Sequence, residues 1–172
     1  MNIIGIIPSR YGSTRLPAKS LADIHGKPMV QHVYERAKAS RLLTRVVVAT
    51  DDTRIDQAVK AFGGESVMTP VSIQSGSDRI AFAAETLEAD LVVNIQGDEP
   101  LIDPAMIDDT IRLLVDDSNA MVGTAIKAIT DPQEITNPNI VKVVVDASMH
   151  ALYFSRSPIP YVRDVDPQDD YS

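Results

Sequence analysis

The chain has no cysteine, which excludes disulfides and any metal centre built on thiolates. It has no apolar run near the roughly 18 residues that a membrane-spanning helix needs. The first apolar stretch meets Arg10 too early to serve as a secretion signal. A soluble, cytoplasmic protein without a membrane partner is expected. Basic residues are outnumbered, 16 Lys and Arg against 24 Asp and Glu, for a net charge of −8. That balance argues against nucleic acid as the main partner. The three histidines, His25, His32 and His150, have no serine or cysteine arrangement around them that suggests nucleophilic catalysis. Both common glycine patterns for phosphate binding are missing. Six residues separate Gly12 from Lys19 with no glycine before the lysine, and Gly5 and Gly12 are too far apart for a dinucleotide fingerprint.

What remains is ordinary for a globular domain: 172 residues, 44% hydrophobic and 23% charged, enough for one domain with a sizeable core. Strand-like and helix-like segments alternate. Continuous apolar runs predict strands over 2–7, 45–50 and 91–95, the first and last of these buried, with a short one over 65–68. Helical spacing predicts helices over 28–42, with Pro28 in the first turn, and over 53–62 behind an Asp51 or Asp52 cap. Further helices are predicted over 77–87 and from Asp103-Pro104 onward. Strands over 121–126, 140–145 and 150–154 follow with little helix between them. The pattern is an α/β fold with a mostly parallel sheet and a β-rich C-terminal end.

Four segments carry chemistry. The first is Pro8-Ser9-Arg10-Tyr11-Gly12-Ser13-Thr14-Arg15-Leu16-Pro17-Ala18-Lys19. It places Arg10, Arg15 and Lys19 in one loop after the first strand, where open α/β sheets bind ligands. Arginine forks and a lysine point charge suit triphosphate oxygens. The second is Gln96-Gly97-Asp98-Glu99-Pro100. It is either a solvated polar turn or a site where Asp98 holds Mg²⁺ together with nucleotide phosphates. The third, Ser75-Gly76-Ser77-Asp78-Arg79, reads as a turn with Ser77 capping a helix whose free N–H groups can meet an anion. The fourth is Tyr153-Phe154-Ser155-Arg156-Ser157-Pro158-Ile159-Pro160. Its arginine is either a surface residue or a bidentate grip for a carboxylate. Asp51-Asp52 is better explained as a helix cap than as a metal pair.

In their order along the chain, from Met1 to about Arg163, the four segments resemble the signatures of the sugar-acid cytidylyltransferases, in particular the 3-deoxy-manno-octulosonate (KDO) cytidylyltransferase family. The resemblance implies a three-layer, Rossmann-like nucleotidyltransferase fold of the glycosyltransferase-A type, in a single domain over 1–172. It implies cytidylyl transfer from CTP to KDO, giving CMP-KDO and pyrophosphate, for lipopolysaccharide biosynthesis. Arg10, Arg15, Lys19 and Asp98 would be catalytic, with Asp98 the ligand of Mg²⁺. Pro8, Ser9, Ser13, Ser75, Gly76, Ser77, Arg79 and Gln96 would complete the nucleotide site, with Arg79 at the base or ribose. Gln96, Arg156 and Arg163 would meet the sugar acid. Tyr161-Val162 departs from the aromatic-Asp pair that often precedes the last arginine in the family.

The same resemblance implies a homodimer for full-length members, which continue past Ser172 into further sugar-binding residues. The chain is therefore expected to lack that C-terminal segment, to bind nucleotide weakly and to turn over poorly. An 8-amino analogue of KDO or another sugar acid is an alternative acceptor, and an inactive nucleotide-binding fragment is an alternative role. Sugar-1-phosphate nucleotidyltransferases fit less well, because Arg10 stands where they favour glycine.

Overall fold

Ile3, Ile4, Ile6 and Ile7 are all buried, which places the first strand between two packed layers. In the computed structural model, which describes residues 1–12, 18–161 and 163, that strand is β1 (Ile3–Ser9). Side chains alternate across a strand, so Ile3 and Ile7 enter one hydrophobic cluster while Ile4 and Ile6 enter another. After β1 come a 3₁₀ turn (Lys19–Leu21) and a small hairpin, β2 (Asp23–Ile24) and β3 (Lys27–Pro28). His25 and Gly26 both have positive φ there, as a two-residue turn of that hand requires.

The first unit, Met1–Gly123, continues with α1 (Met29–Lys38), β4 (Arg45–Thr50), α2 (Thr53–Ala61), β5 (Ser66–Met68), α3 (Gly76–Glu85), β6 (Leu91–Asn94) and α4 (Pro104–Asp116). Its sheet has the order β5-β4-β1-β6, and every pairing in it is parallel. Residues of α1, α2 and α4, among them Val30, Val33, Ile55, Val59, Ile107 and Ile111, cover one face. Ile80, Ala83 and Leu87, in and just after α3, cover the other. The expected three-layer α/β arrangement with a mostly parallel sheet is thus present.

Local chemistry sets several boundaries differently from the sequence reading. Pro28 is the extended N-cap of α1, because it pairs with Asp23 in the hairpin instead of entering the first turn. α1 stops at Lys38, short of 42. Asp108 of α4 accepts from the Ser40 hydroxyl at 2.5 Å and from the N–H groups of Arg41 and Leu42 at 3.1 and 3.2 Å, turning the chain toward β4. Ser75, not Ser77, caps α3, its hydroxyl accepting from the Asp78 N–H at 3.0 Å. β6 is one of the two edge strands of the sheet among the described residues and alternates between half-buried and exposed residues, so the expectation of a buried strand fails. The segment 121–126 forms no strand, and Met121 and Val122 are exposed.

The second unit, Thr124–Ser172, contains the short α5 (Pro132–Thr136) and an antiparallel pair, β7 (Lys142–Val145) and β8 (Ala151–Ser155). The β-rich C-terminal end is this hairpin. Lys142 is buried, and its ammonium donates to the carbonyls of Asn137, Ile140 and Arg156 at 3.0, 2.9 and 2.6 Å. The Ile159–Pro160 bond is cis. Among the described residues no helix is long and apolar enough to cross a membrane.

Candidate active site

Strand register brings the first two sequence motifs together. β6 runs beside β1 with Asn94 opposite Ile6, and the Ile95 N–H continues the ladder onto the Ile6 carbonyl at 3.0 Å. The Gln96-Gly97-Asp98 loop therefore leaves the sheet next to Pro8 and Ser9. A Cβ on Gly97 would lie 2.9 Å from the Pro8 carbonyl oxygen, so only glycine permits that approach. Across the gap, the Lys19 ammonium meets the Asp98 carboxylate at 2.8 Å.

The first loop is anchored at both described ends. The Ala18 N–H donates to the Tyr11 carbonyl at 2.9 Å, and Ala18 has φ 57°, a left-handed conformation. Behind Lys19, the buried Ser9 hydroxyl donates to that of Ser20 at 2.6 Å, tying β1 to the 3₁₀ turn. Ser13 and Arg15 lie outside the described residues.

A cleft of about 280 Å³ opens beside this loop, lined by Arg10, Tyr11, Asp51, Asp52, Ile73 and Gln74 among others. Arg10 reaches across to the Gln74 carbonyl at 3.3 Å. Arg54 stacks over the Tyr11 ring at 3.3 Å and grips Asp52 through two hydrogen bonds, of 2.8 and 2.6 Å. Those bonds hold the Asp52 carboxyl below its usual range. At the start of α3, Gly76 packs toward Pro8, where a Cβ would sit 3.6 Å from the proline ring. Pro8 and Ser9 at the end of β1, Arg10, Lys19, the start of α3 with Ser75, Gly76 and Ser77, and the loop with Gln96 and Asp98 thus all lie toward the carboxyl edge of the sheet. Gln96 donates to Asn94 at 3.0 Å.

Arg79 is placed differently from its neighbours in the motif. It is 2% exposed, and its guanidinium binds Thr69, Asp51 and the Ile73 carbonyl. In the second unit, Arg156 donates to the Pro138 carbonyl at 2.9 Å, and Arg163 is exposed. The sequence reading missed the pairing of Arg54 with Tyr11 and that of Asp51 with Arg79. The spacing Asp52-x-Arg54 at a helix start signals the ion pair but not the ring beneath it.

Among the described residues no cluster of three or more acidic, histidine or cysteine side chains exists that could cage a metal. Asp98, beside Lys19, offers a hard carboxylate in the loop after β6. That donor set fits Mg²⁺ arriving on a nucleotide, since this ion takes one or two carboxylates and fills its sphere with phosphate oxygens and water.

A parallel sheet with helices on both faces, and basic, acidic and Ser/Gly loops gathered at its carboxyl edge, defines a Rossmann-like nucleotidyltransferase fold. A family model described as cytidylyltransferase matches residues 4–168, a range that enters both units. The chain is 54% identical over 164 residues to the 3-deoxy-manno-octulosonate cytidylyltransferase of Geobacter sulfurreducens, covering 95% of this chain and 66% of that one. It is 52% identical to the enzyme of the same name from Syntrophobacter fumaroxidans, covering 95% and 67%. A solved structure of CMP:2-keto-3-deoxy-manno-octonic acid synthetase complexed with CTP superposes with a TM-score of 0.86 at 46% identity, over 95% of this chain and 68% of that one. The chain belongs to the cytidylyltransferase family, in its 3-deoxy-manno-octulosonate branch. It spans about two thirds of the length of these curated relatives.

Proposed function

We propose that this site transfers a cytidylyl group from CTP to KDO, releasing pyrophosphate. The observation that carries the reading is the meeting of Lys19 and Asp98 at 2.8 Å, where the loops after β1 and β6 come together. It brings together a cation of the kind that suits phosphate oxygens and a carboxylate of the kind that suits Mg²⁺, and a relative with the same fold is named as a complex with CTP.

In this reading the anomeric 2-hydroxyl of the sugar acid attacks the α-phosphorus. The bond from that phosphorus to the bridging oxygen breaks, its electron pair leaves on pyrophosphate, and the hydroxyl proton passes to solvent. Arg10, Arg15 and Lys19 hold the β- and γ-phosphates and stabilise the leaving charge, the term that dominates transfers of this kind. Asp98 would hold Mg²⁺ arriving with CTP, an ion that would neutralise phosphate charge and lower the pKa of the attacking hydroxyl. Ser75, Gly76 and Ser77, at the start of α3, serve the nucleotide, and Gln96 lies between nucleotide and acceptor. Arg156 and Arg163 supply positive charge for the carboxylate that distinguishes an acidic sugar from a neutral one.

The Lys19–Asp98 pair suits such a role energetically. Its side chains are 36% and 53% exposed, and an ion pair at that exposure is worth about 0–1 kcal/mol. Both groups can exchange partners at little cost when phosphate and metal arrive.

The test is pyrophosphate release from CTP with KDO and Mg²⁺, beside ATP, GTP and UTP. Release with CTP alone is the expected result. No release, together with no rise in melting temperature on adding CTP and Mg²⁺, overturns the reading.

A further inference from the structure

Arg79 stands in a motif that resembles a nucleotide-contact segment, yet it is 2% exposed. A buried guanidinium is costly unless its donors are satisfied, and here they are. One terminal nitrogen donates to the Thr69 hydroxyl. The other donates to the Asp51 carboxylate at 2.7 Å and to the Ile73 carbonyl at 2.9 Å. These partners come from the end of β4 and from the loop over 69–75. Asp51 and Ile73 both line the cleft beside Arg10, and the next carbonyl along, that of Gln74, accepts from Arg10 itself. One buried side chain thus fixes two cleft-wall residues and borders a third.

We propose that Arg79 is a positioning residue: it acts from behind the cleft wall, holding Asp51 and the loop over 69–75 in the shape that receives the nucleotide, and does not touch the ligand. The proposal rests on the nucleotide reading above. It also assigns Thr69 and Asp51, neither of which the motif contains, to the same device. Lysine in place of Arg79 keeps the charge but cannot reach three partners in a planar fork.

The experiment is calorimetric titration of CTP with excess Mg²⁺ into the parent protein, R79K, D51N and the double variant, with hydrogen exchange followed over 69–75. R79K is expected to weaken CTP binding by at least about tenfold, as the loss of a buried, charged hydrogen-bond set does. Exchange over 69–75 should rise while β1 and β4 stay protected. The two substitutions should be non-additive, because Arg79 acts through Asp51. T69V removes a single partner and serves if R79K does not fold; it should weaken CTP binding severalfold and loosen the same loop. Additive losses would show that Arg79 meets the ligand directly and would overturn the proposal, as would parent-like CTP affinity in R79K or in T69V. A parent protein that binds no CTP overturns the nucleotide reading and this role with it, whereas a parent that binds beside an indifferent R79K overturns the role alone.

Discussion

Lys19 and Asp98 are 79 residues apart in sequence and 2.8 Å apart in space. Because both are substantially exposed, the pair contributes little to stability. Asp98→Asn is expected to lower pyrophosphate release by about 10²–10³-fold, the scale seen when one preorganised charge-stabilising group is lost. Its unfolding free energy should stay within about 1 kcal/mol of the parent. Parallel activity and melting measurements check both halves.

Gly97 is the hinge on which that meeting depends. Gly97→Ala puts a methyl group 2.9 Å from the Pro8 carbonyl oxygen, and backbone cannot give way as a flexible side chain can. The loop must lift from β1, at a cost of about 1–3 kcal/mol. Denaturant titration should show the loss, and pyrophosphate release should fall with it because Asp98 moves with the loop.

Ala18 occupies a left-handed conformation at φ 57°, which costs an alanine roughly 1–2 kcal/mol. Ala18→Gly removes that strain and gives back about 0.4–1 kcal/mol to the unfolded chain. A small net stabilisation is expected, whereas Ala18→Val should destabilise. A melting series of the three proteins decides the order.

Asp108 is the acid-sensitive joint of the first unit. Burial pushes its carboxyl up, but the bonds from Ser40 and from the Arg41 and Leu42 N–H groups together hold it below the usual aspartate value. A carboxyl whose folded pKa is depressed adds stability that is complete above its unfolded pKa and is lost as pH falls through the folded one. The loss should therefore begin near about pH 3.9 and deepen below it. Asp108→Ala should cost about 2–3 kcal/mol at neutral pH, and Asp108→Asn should flatten the acid limb of a stability-versus-pH curve.

β6 is an edge strand with Val92 37% exposed, and bare edges invite pairing between copies. Val92→Lys is expected to reduce concentration-dependent association in light scattering while changing the melting temperature little.

Much of this was legible in the chain. β1 and β4 are continuous apolar runs because both of their faces are covered, and such runs announce themselves. Asp52 as a cap and Gly63, at φ 78°, as a terminator of α2 follow from local chemistry alone. β6 misled because its valines and leucine say that it is a strand but not which neighbours it has. The cap of α3 could have been found: Ser75 precedes Asp78 by three residues, the spacing of a capping box, whereas Ser77 lacks that partner. The burial of Arg79 could not, since its partner Asp51 is 28 residues away and only the packing of β4 against α3 brings them together.

Two lysines in this protein hold their charge in opposite ways. Lys19 faces a carboxylate in water, where dissolved ions compete for it. Lys142 faces three carbonyl oxygens in the interior and, among the described residues, bonds to no carboxylate. Ionic strength therefore acts on them unequally. Raising it screens the Lys19–Asp98 pair over a Debye length of about 10 Å at 0.1 M, while the short dipolar bonds around Lys142 are sheltered from it. The hairpin of the second unit should keep its form in brine that has already loosened the ion pair at the mouth of the site.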